Sequence, residues 1–462
     1  MTPSVDVVVL GAGPAGLGAA FRVASAGQRV ILLERQGRVG GAAGSFEVAG
    51  IRVDFGSHRL HPSIEPRILG ELRGLLSDDL QLRRRNGRIR LAGRWIGFPL
   101  SGRDLLRNLP PVFALAAARD AALSWARRPR GDTFAEALLA GLGPTMCRHF
   151  YFPYARKLWG LDPHRISGEQ ARRRVSADSP WKLARRLVSK RRPEGRLFYY
   201  PRRGYGQIWE RLAEAASGAG AELRLNTAAE RLELGDHGVR VRVSGEEVIE
   251  GARIFSTIPL TVLAALTDPP PAAPVLEAAR ALRFRSMVLV YLVLEGGRYT
   301  SYDAHYLPDS ATPITRLSEP ANYREGDDPP DRTVLCAEIP CARGDGIWTA
   351  APDELGGLVV EALDRMGLPR ARPSGVEVRR LSHAYPIYEA GYETAFGALD
   401  SWARSHPRLT TFGRQGLFAH DNSHHALAMA WAAADALGPD GGFDNTAWAS
   451  ARLRFANHTV ED

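Results

Sequence analysis

The chain has 462 residues, too many for a single hydrophobic core, so two or more packed units are expected. Hydrophobic residues make up 45% and charged residues 24%, the balance of an ordinary soluble globular chain rather than a fibrous, disordered or membrane-spanning one. Net charge is +9, which suits a small anionic ligand, and the three cysteines (Cys147, Cys336, Cys341), an odd count without a CxxC, argue against a disulfide framework or a zinc site. The first residues read directly into a strand, so no secretory leader is expected, and no 18-residue uncharged apolar run occurs. A cytoplasmic protein is expected, with no nucleic-acid partner. The sequence is silent on its oligomeric state.

The first forty residues organise the rest. Asp6-Val7-Val8-Val9-Leu10 reads as a short buried strand, followed by Gly11-Ala12-Gly13-Pro14-Ala15-Gly16 and a helix with a small-residue face from Leu17 to Ala24. After Gly27 a second strand, Arg29–Leu33, ends on Glu34. This strand–GxGxxG–helix–strand–acid order is that of a dinucleotide site. Gly11 permits the tight turn, Gly13 lets a pyrophosphate approach the backbone, and Gly16 lets helix and strand pack closely. Pro14 and Ala15 open the helix, whose N-terminal N–H groups face the phosphates. Glu34 is placed to accept ribose hydroxyls. Next comes Arg35-Gln36-Gly37-Arg38-Val39-Gly40-Gly41-Ala42, where Gly40 and Gly41 let backbone pass close to a ligand.

Further along, residues 65–130 read as helical with basic breaks at Arg83-Arg84-Arg85 and Arg127–Arg130, and with a hairpin over Arg88–Ile96. Residues 133–195 read as helical and carry an aromatic and Arg cluster. Strands are expected at Glu222–Thr227, Val239–Val243 and Arg253–Pro259. Alternation over 283–345 predicts an antiparallel sheet, with Met287–Val293 a clear strand. A helix is expected over 352–366, a strand over Leu409–Arg414 and an Ala-rich helix from Ala426 to Leu437.

The Arg35–Gly41 segment resembles the second half of the FAD fingerprint in the amine oxidase, phytoene desaturase, protoporphyrinogen oxidase and UDP-galactopyranose mutase group. Five further stretches resemble the UDP-galactopyranose mutases, and equally the protoporphyrinogen oxidase-like flavoproteins of the amine oxidase superfamily. They are Asp54–His61, Phe152–Pro163, Arg172-Arg173-Arg174, Pro313–Glu319, and Ala384–Tyr388 with Phe412–Phe418. The resemblance implies an α/β fold: a Rossmann-type FAD-binding domain (GR2-like, discontinuous) with a mixed-sheet substrate domain and a helical insert. Residues 1–64, 200–268 and 405–462 would form the FAD-binding domain, 65–199 the helical insert and substrate cleft, and 269–404 the antiparallel-sheet substrate domain.

The resemblance also implies roles. FAD would be held by the GxGxxG segment, Glu34, Arg35, Gly40, Gly41, Ala42, His58, Gly413, Arg414 and Asn422. His61 would lie near the isoalloxazine. Arg316, together with Arg173 or Arg174, would clamp a diphosphate. Tyr385 and His420 would line the catalytic cleft, and Tyr154, Trp159 and Asn422 would contact substrate. The His58/His61 spacing also suits a metal, but no third ligand stands near, so no metal is expected. The implied reaction is pyranose/furanose isomerisation of a nucleotide sugar through flavin N5. The alternative is an FAD-dependent oxidoreductase, an oxidase or desaturase, working by hydride transfer to FAD. Ala155 stands where eukaryotic-type mutases have Asn, and His420 where the family has Tyr; both departures favour the alternative. Docking on anionic lipid, through the basic stretch 83–130 with Trp95, Phe98 and Leu100, is the lesser expectation.

Overall fold

The computed structural model describes residues 5–100, 102–129, 131–174 and 197–460. Two sheets carry the fold. The first has eight strands, ordered Thr267–Asp268, Ala229–Leu234, Val239–Val243, Val248–Ser256, β1 (Val5–Leu10), β2 (Val30–Leu33) and Glu222–Arg224, with Leu409–Thr411 added beside Val248–Ser256. β1 is parallel to β2 and to Val248–Ser256, with Leu10 opposite both Leu33 and Ser256, and Ser256 is opposite Thr411. Four strands therefore end at one edge. The turns that follow them, at Gly11, Glu34, Thr257 and Gly413, meet there, as ligand-binding turns do at the carboxyl ends of a parallel sheet. β1 and β2 are almost wholly apolar and buried, as strands covered on both faces must be.

Helix α1 (Pro14–Ser25) starts on a proline and buries a face of Ala and Gly against the helix Ser423–Asp435. The approach is close: a Cβ on Gly18 would lie 2.7 Å from Trp431 and 3.0 Å from Ala430.

The second sheet has seven strands, ordered Pro373–Pro386, Phe284–Glu295, Arg332–Cys341, Arg316–Ser318, Ala304–Tyr306, Gly87–Leu91 and Arg94–Phe98. All its pairs are antiparallel except Ala304–Tyr306 with Gly87–Leu91. Asp54 joins the two halves of the molecule. Its carboxylate accepts the hydroxyls of Ser45 and Tyr200 and the Tyr205 N–H at 2.5–2.9 Å, while its carbonyl accepts the Tyr291 hydroxyl of the second sheet at 2.6 Å.

Several expectations are revised. The hairpin near Arg88–Ile96 forms, but as the edge of the second sheet rather than as part of a helical unit. Arg83 and Arg84 lie in a strand, Leu80–Arg84, that pairs with Leu197–Pro201. The strand Ala229–Leu234 was not signalled, because its apolar residues are sparse. Helices occupy Phe134–Met146, Phe152–Trp159 and Gly168–Arg174; the expected helix over 175–195 lies outside the described residues. Trp95 and Phe98, offered for lipid contact, pack on His305 and Tyr306. The exposed large apolar side chains of the 83–130 stretch are, among the described residues, Val112, Leu115, Leu123 and Trp125. No helix among the described residues is long and apolar enough to cross a membrane.

Overpacking at Gly18 costs about 1–3 kcal/mol. Gly18→Val is therefore expected to lower the thermal unfolding midpoint by several degrees, read by circular dichroism, and an unchanged midpoint would mean that the two helices separate freely.

Candidate functional site

One cleft of about 640 Å³ runs from the edge of the first sheet to the second. At its first end the backbone is packed so tightly that side chains are excluded. Gly11 has φ +96°, and a Cβ on it would lie 2.8 Å from Thr257 Oγ1. A Cβ on Gly16 would lie 1.8 Å from the Gly11 carbonyl. Gly16 thus works beneath the loop rather than in the cleft. Gly13 differs: nothing lies within 4 Å of its missing Cβ, and it lines open space together with Pro14, Ala15, Gly41 and Ala42. Gly40 supports from behind, donating its N–H to the Ala12 carbonyl at 2.8 Å. Glu34 accepts Ala12 N–H and Gln36 N–H, each at 2.9 Å, and a carboxylate keeps further lone pairs for hydroxyl donors. Arg35 lines the same stretch.

Gly413, at φ +78°, brings its backbone against α1: a Cβ there would lie 2.8 Å from the Ala15 Cβ. Asn422 caps the helix Ser423–Asp435 and lines the cleft, so that helix aims its N-terminus at the same space. His58 stacks on Tyr205 and faces the carbonyls of Ala42 and Phe55 at 2.9 and 3.0 Å through Nε2. Burial holds its pKa below the usual histidine range. A side-chain-free cradle, a ribose-type acid and two helix N-termini fit the adenosine diphosphate and ring portions of FAD. Gly13, Gly41, Glu34, Arg35, Ala42, His58, Gly413 and Asn422 would hold it.

The far end is aromatic and cationic. Two guanidinium groups lie near the Tyr385 ring, Arg174 at 5.0 Å and Arg414 at 4.8 Å from its centre. Arg414 donates to the Ala384 carbonyl at 2.7 Å, and desolvation pulls its pKa down. Nε of both arginines is buried without a partner, and neither guanidinium pairs with a carboxylate of the described residues. His420 stacks at 6.1 Å on Tyr385 and is only 1% exposed. Burial, then the charges of Arg174, Arg414 and Arg173, push its pKa well below the usual value, so it is neutral. Tyr154 lines this end as expected.

Arg316 also lines the cleft, but its charge is matched. The antiparallel register sets it opposite Glu338, which accepts from Nε and Nη2 at 2.9 Å each. Its Nη2 also donates to the Ser57 carbonyl at 3.1 Å, and Glu338 accepts the Ser57 N–H at 2.8 Å.

Three sequence candidates lie elsewhere. Arg173 turns away from the cleft to Glu169, at 2.7 Å. Trp159 is buried edge-on against Phe134. His61 turns its Nδ1 to Ser63, at 2.8 Å, and does not line the cleft. Sequence reasoning gave no role to Glu338, Asp421 or Thr257, all of which line it. Glu338 sits in an ordinary strand alternation, and only the cross-strand register reveals its partner.

Asp421, His425 and His458 form a cluster of metal-ligand type, with their ligand atoms within 4.8 Å of one another. The two imidazoles, however, stack at 4.1 Å and 18°. Their in-plane lone pairs run nearly parallel and do not converge on one ion. The cluster is a polar pin, with Asp421 3.5 Å from His425 and 3.4 Å from His458.

Comparison with known proteins agrees with this geometry. The profile of the family described as flavin containing amine oxidoreductase matches residues 14–436. The phytoene dehydrogenase of Streptomyces griseus is 29% identical over 291 residues, 56% of this chain and 55% of that enzyme, about half its length. Among solved structures, reduced UDP-galactopyranose mutase superposes with a TM-score of 0.81 at 19% identity, covering 99% of this chain and 100% of that one. Putrescine oxidase bound to putrescine superposes with a TM-score of 0.66 at 18% identity, covering 93% and 98%. The chain belongs to the flavin-containing amine oxidoreductase family and is an FAD-dependent flavoenzyme.

Gly16→Val would displace the Gly11 carbonyl from the turn that faces the phosphates. The purified variant is expected to be colourless, with its FAD content reduced at least about tenfold, a loss of roughly 1.4 kcal/mol or more in binding. A variant as yellow as the parent would show that the loop tolerates a side chain.

Proposed function

We propose that this flavoenzyme acts on a nucleoside diphosphate sugar and interconverts its pyranose and furanose forms. The observation that carries this reading is the pair Arg174 and Arg414, both within 5.0 Å of the Tyr385 ring centre and with no carboxylate partner among the described residues. A desolvated guanidinium, Arg414, and a second one, Arg174, beside one cleft call for an anion, and a planar fork suits phosphate oxygens. Each charge-assisted hydrogen bond to such an anion contributes about 1.5–3 kcal/mol.

Bound FAD supplies the centre that reacts with the sugar carbon. The chain's own residues supply grip and shape. Tyr385 gives a flat wall at the anion end. Neutral His420 offers a donor and an acceptor without adding charge. The Arg316–Glu338 pair is electrically balanced and fixes the Ser57–His58 turn, so it serves the cleft as a rigid polar wall rather than as a free clamp.

That balance also supports the second reading, a hydride-transferring oxidoreductase. A substrate that meets Arg316 meets a neutral pair, and the phytoene dehydrogenase of Streptomyces griseus and putrescine oxidase carry oxidoreductase names. Arg316→Ala does not separate the readings, because it strands Glu338 as a buried unpaired charge and destabilises either enzyme.

Arg174→Ala separates them. With UDP as the probe and the flavin absorbance as the signal, the parent is expected to bind and the variant to bind about tenfold to a hundredfold more weakly, as loss of one charge-assisted contact requires. Product analysis by chromatography should show UDP-galactose changing ring size with reduced enzyme only. Absence of UDP binding to the parent, together with bleaching of the oxidised flavin by an amine or polyene, would establish the oxidoreductase reading instead.

A further inference from the structure

Arg173 and Arg174 are neighbours with unlike surroundings. Arg174 lines the cleft, whereas Arg173 is held from behind at both its ends. Its Nη2 donates to the Ala456 carbonyl at 3.0 Å, and its own carbonyl accepts the Val460 N–H at 2.7 Å. Both partners belong to one short segment, residues 456–460. That segment leaves the helix Asn445–Phe455, which is anchored in the main core through Trp448, Ala451 and Phe455.

The segment is fastened a second time at its middle. His458 lies 3.4 Å from Asp421, stacks on His425 at 4.1 Å, and packs on Phe455 at 5.4 Å. Asp421 and Val460 both line the cleft beside Arg174. Glu169, one helical turn back, holds the Arg173 guanidinium at 2.7 Å.

Arg174 has no such hydrogen-bonded anchor; its guanidinium lies 5.0 Å from the ring centre of Tyr385 and 5.9 Å from that of Trp159. A long side chain with an unpartnered Nε keeps its direction only if the backbone beneath it is fixed. The fixing comes from residue 173, gripped by the 456–460 segment through its side chain and its carbonyl.

We propose that Ala456–Val460 is a positioning strap for the substrate end of the cleft. Arg173 and His458 are positioning residues: they hold the end of the helix Gly168–Arg174 so that Arg174 faces the substrate's anionic group, and Val460 forms the wall beside it. The ligand readout of this proposal rests on the functional reading above; its structural readout does not.

The test compares the FAD-loaded full chain with a chain ending at Asn457 and with His458→Ala. Two quantities are measured: hydrogen exchange of the amides in 168–174, and the Kd for UDP from the flavin absorbance. Exchange in 168–174 is expected to speed up about tenfold and UDP affinity to fall about tenfold in both variants, with FAD content unchanged. Unchanged exchange in 168–174 would overturn the proposal. So would loss of FAD together with UDP affinity, which would make the segment a general prop of the fold. If the parent binds no UDP, the functional reading fails, and the exchange rates alone decide the strap. Where the shortened chain does not fold, His458→Ala carries both measurements, since that side chain is 18% exposed and its removal opens no deep cavity.

Discussion

Backbone packed against backbone, with no room for a Cβ, is the constraint on which this molecule depends. The ends of four parallel strands bring Gly11, Thr257 and Gly413 into contact distance, and Gly16 closes the turn from below. Apolar strands buried on both faces hold that edge in register. A helix of small residues then lets Ser423–Asp435 press against α1, which sets Asn422 at the cleft mouth. The cofactor's space is therefore a product of side-chain absence as much as of contacts.

The second constraint is charge. Five of the arginines at or near the cleft show three solutions to burial. Arg59 is balanced by Asp303 at 3.1 Å, and Arg316 by Glu338. Arg173 is tied to Glu169 and to main-chain carbonyls. Arg174 and Arg414 are left to aromatic faces and, for Arg414, a backbone oxygen. Cations held close together repel one another, and His420, whose pKa burial and their charges push well down, adds no further positive charge.

Legibility followed local against non-local information. The GxGxxG turn, Glu34 and the Gly40–Gly41 pair are contiguous, and each glycine's role follows from its own steric surroundings. Tyr385 and His420 were legible by resemblance, and they do come together; Arg414, expected at the flavin, also lies beside Tyr385. The choice between Arg173 and Arg174 was not legible. On a helix end, adjacent residues point about 100° apart, and which one faces the cleft depends on how the helix docks. Trp159 and His61 sit in matching motifs, yet their rings turn into the core and to Ser63 respectively, because neighbouring packing decides rotamers.

The sequence by itself determined the dinucleotide-binding half, since that rests on short-range sterics: a strand, a turn that only glycine permits, a helix N-terminus and an acid; FAD and the family came through the resemblance of whole motifs. Tertiary structure alone decided the charge state of the cleft. Glu338 reaches Arg316 across a strand register 22 residues apart, and the segment after Phe455 returns to Arg173 over a separation of 283. Pairings of that range leave no periodic mark in the chain, because they are set by how sheets and helices stack.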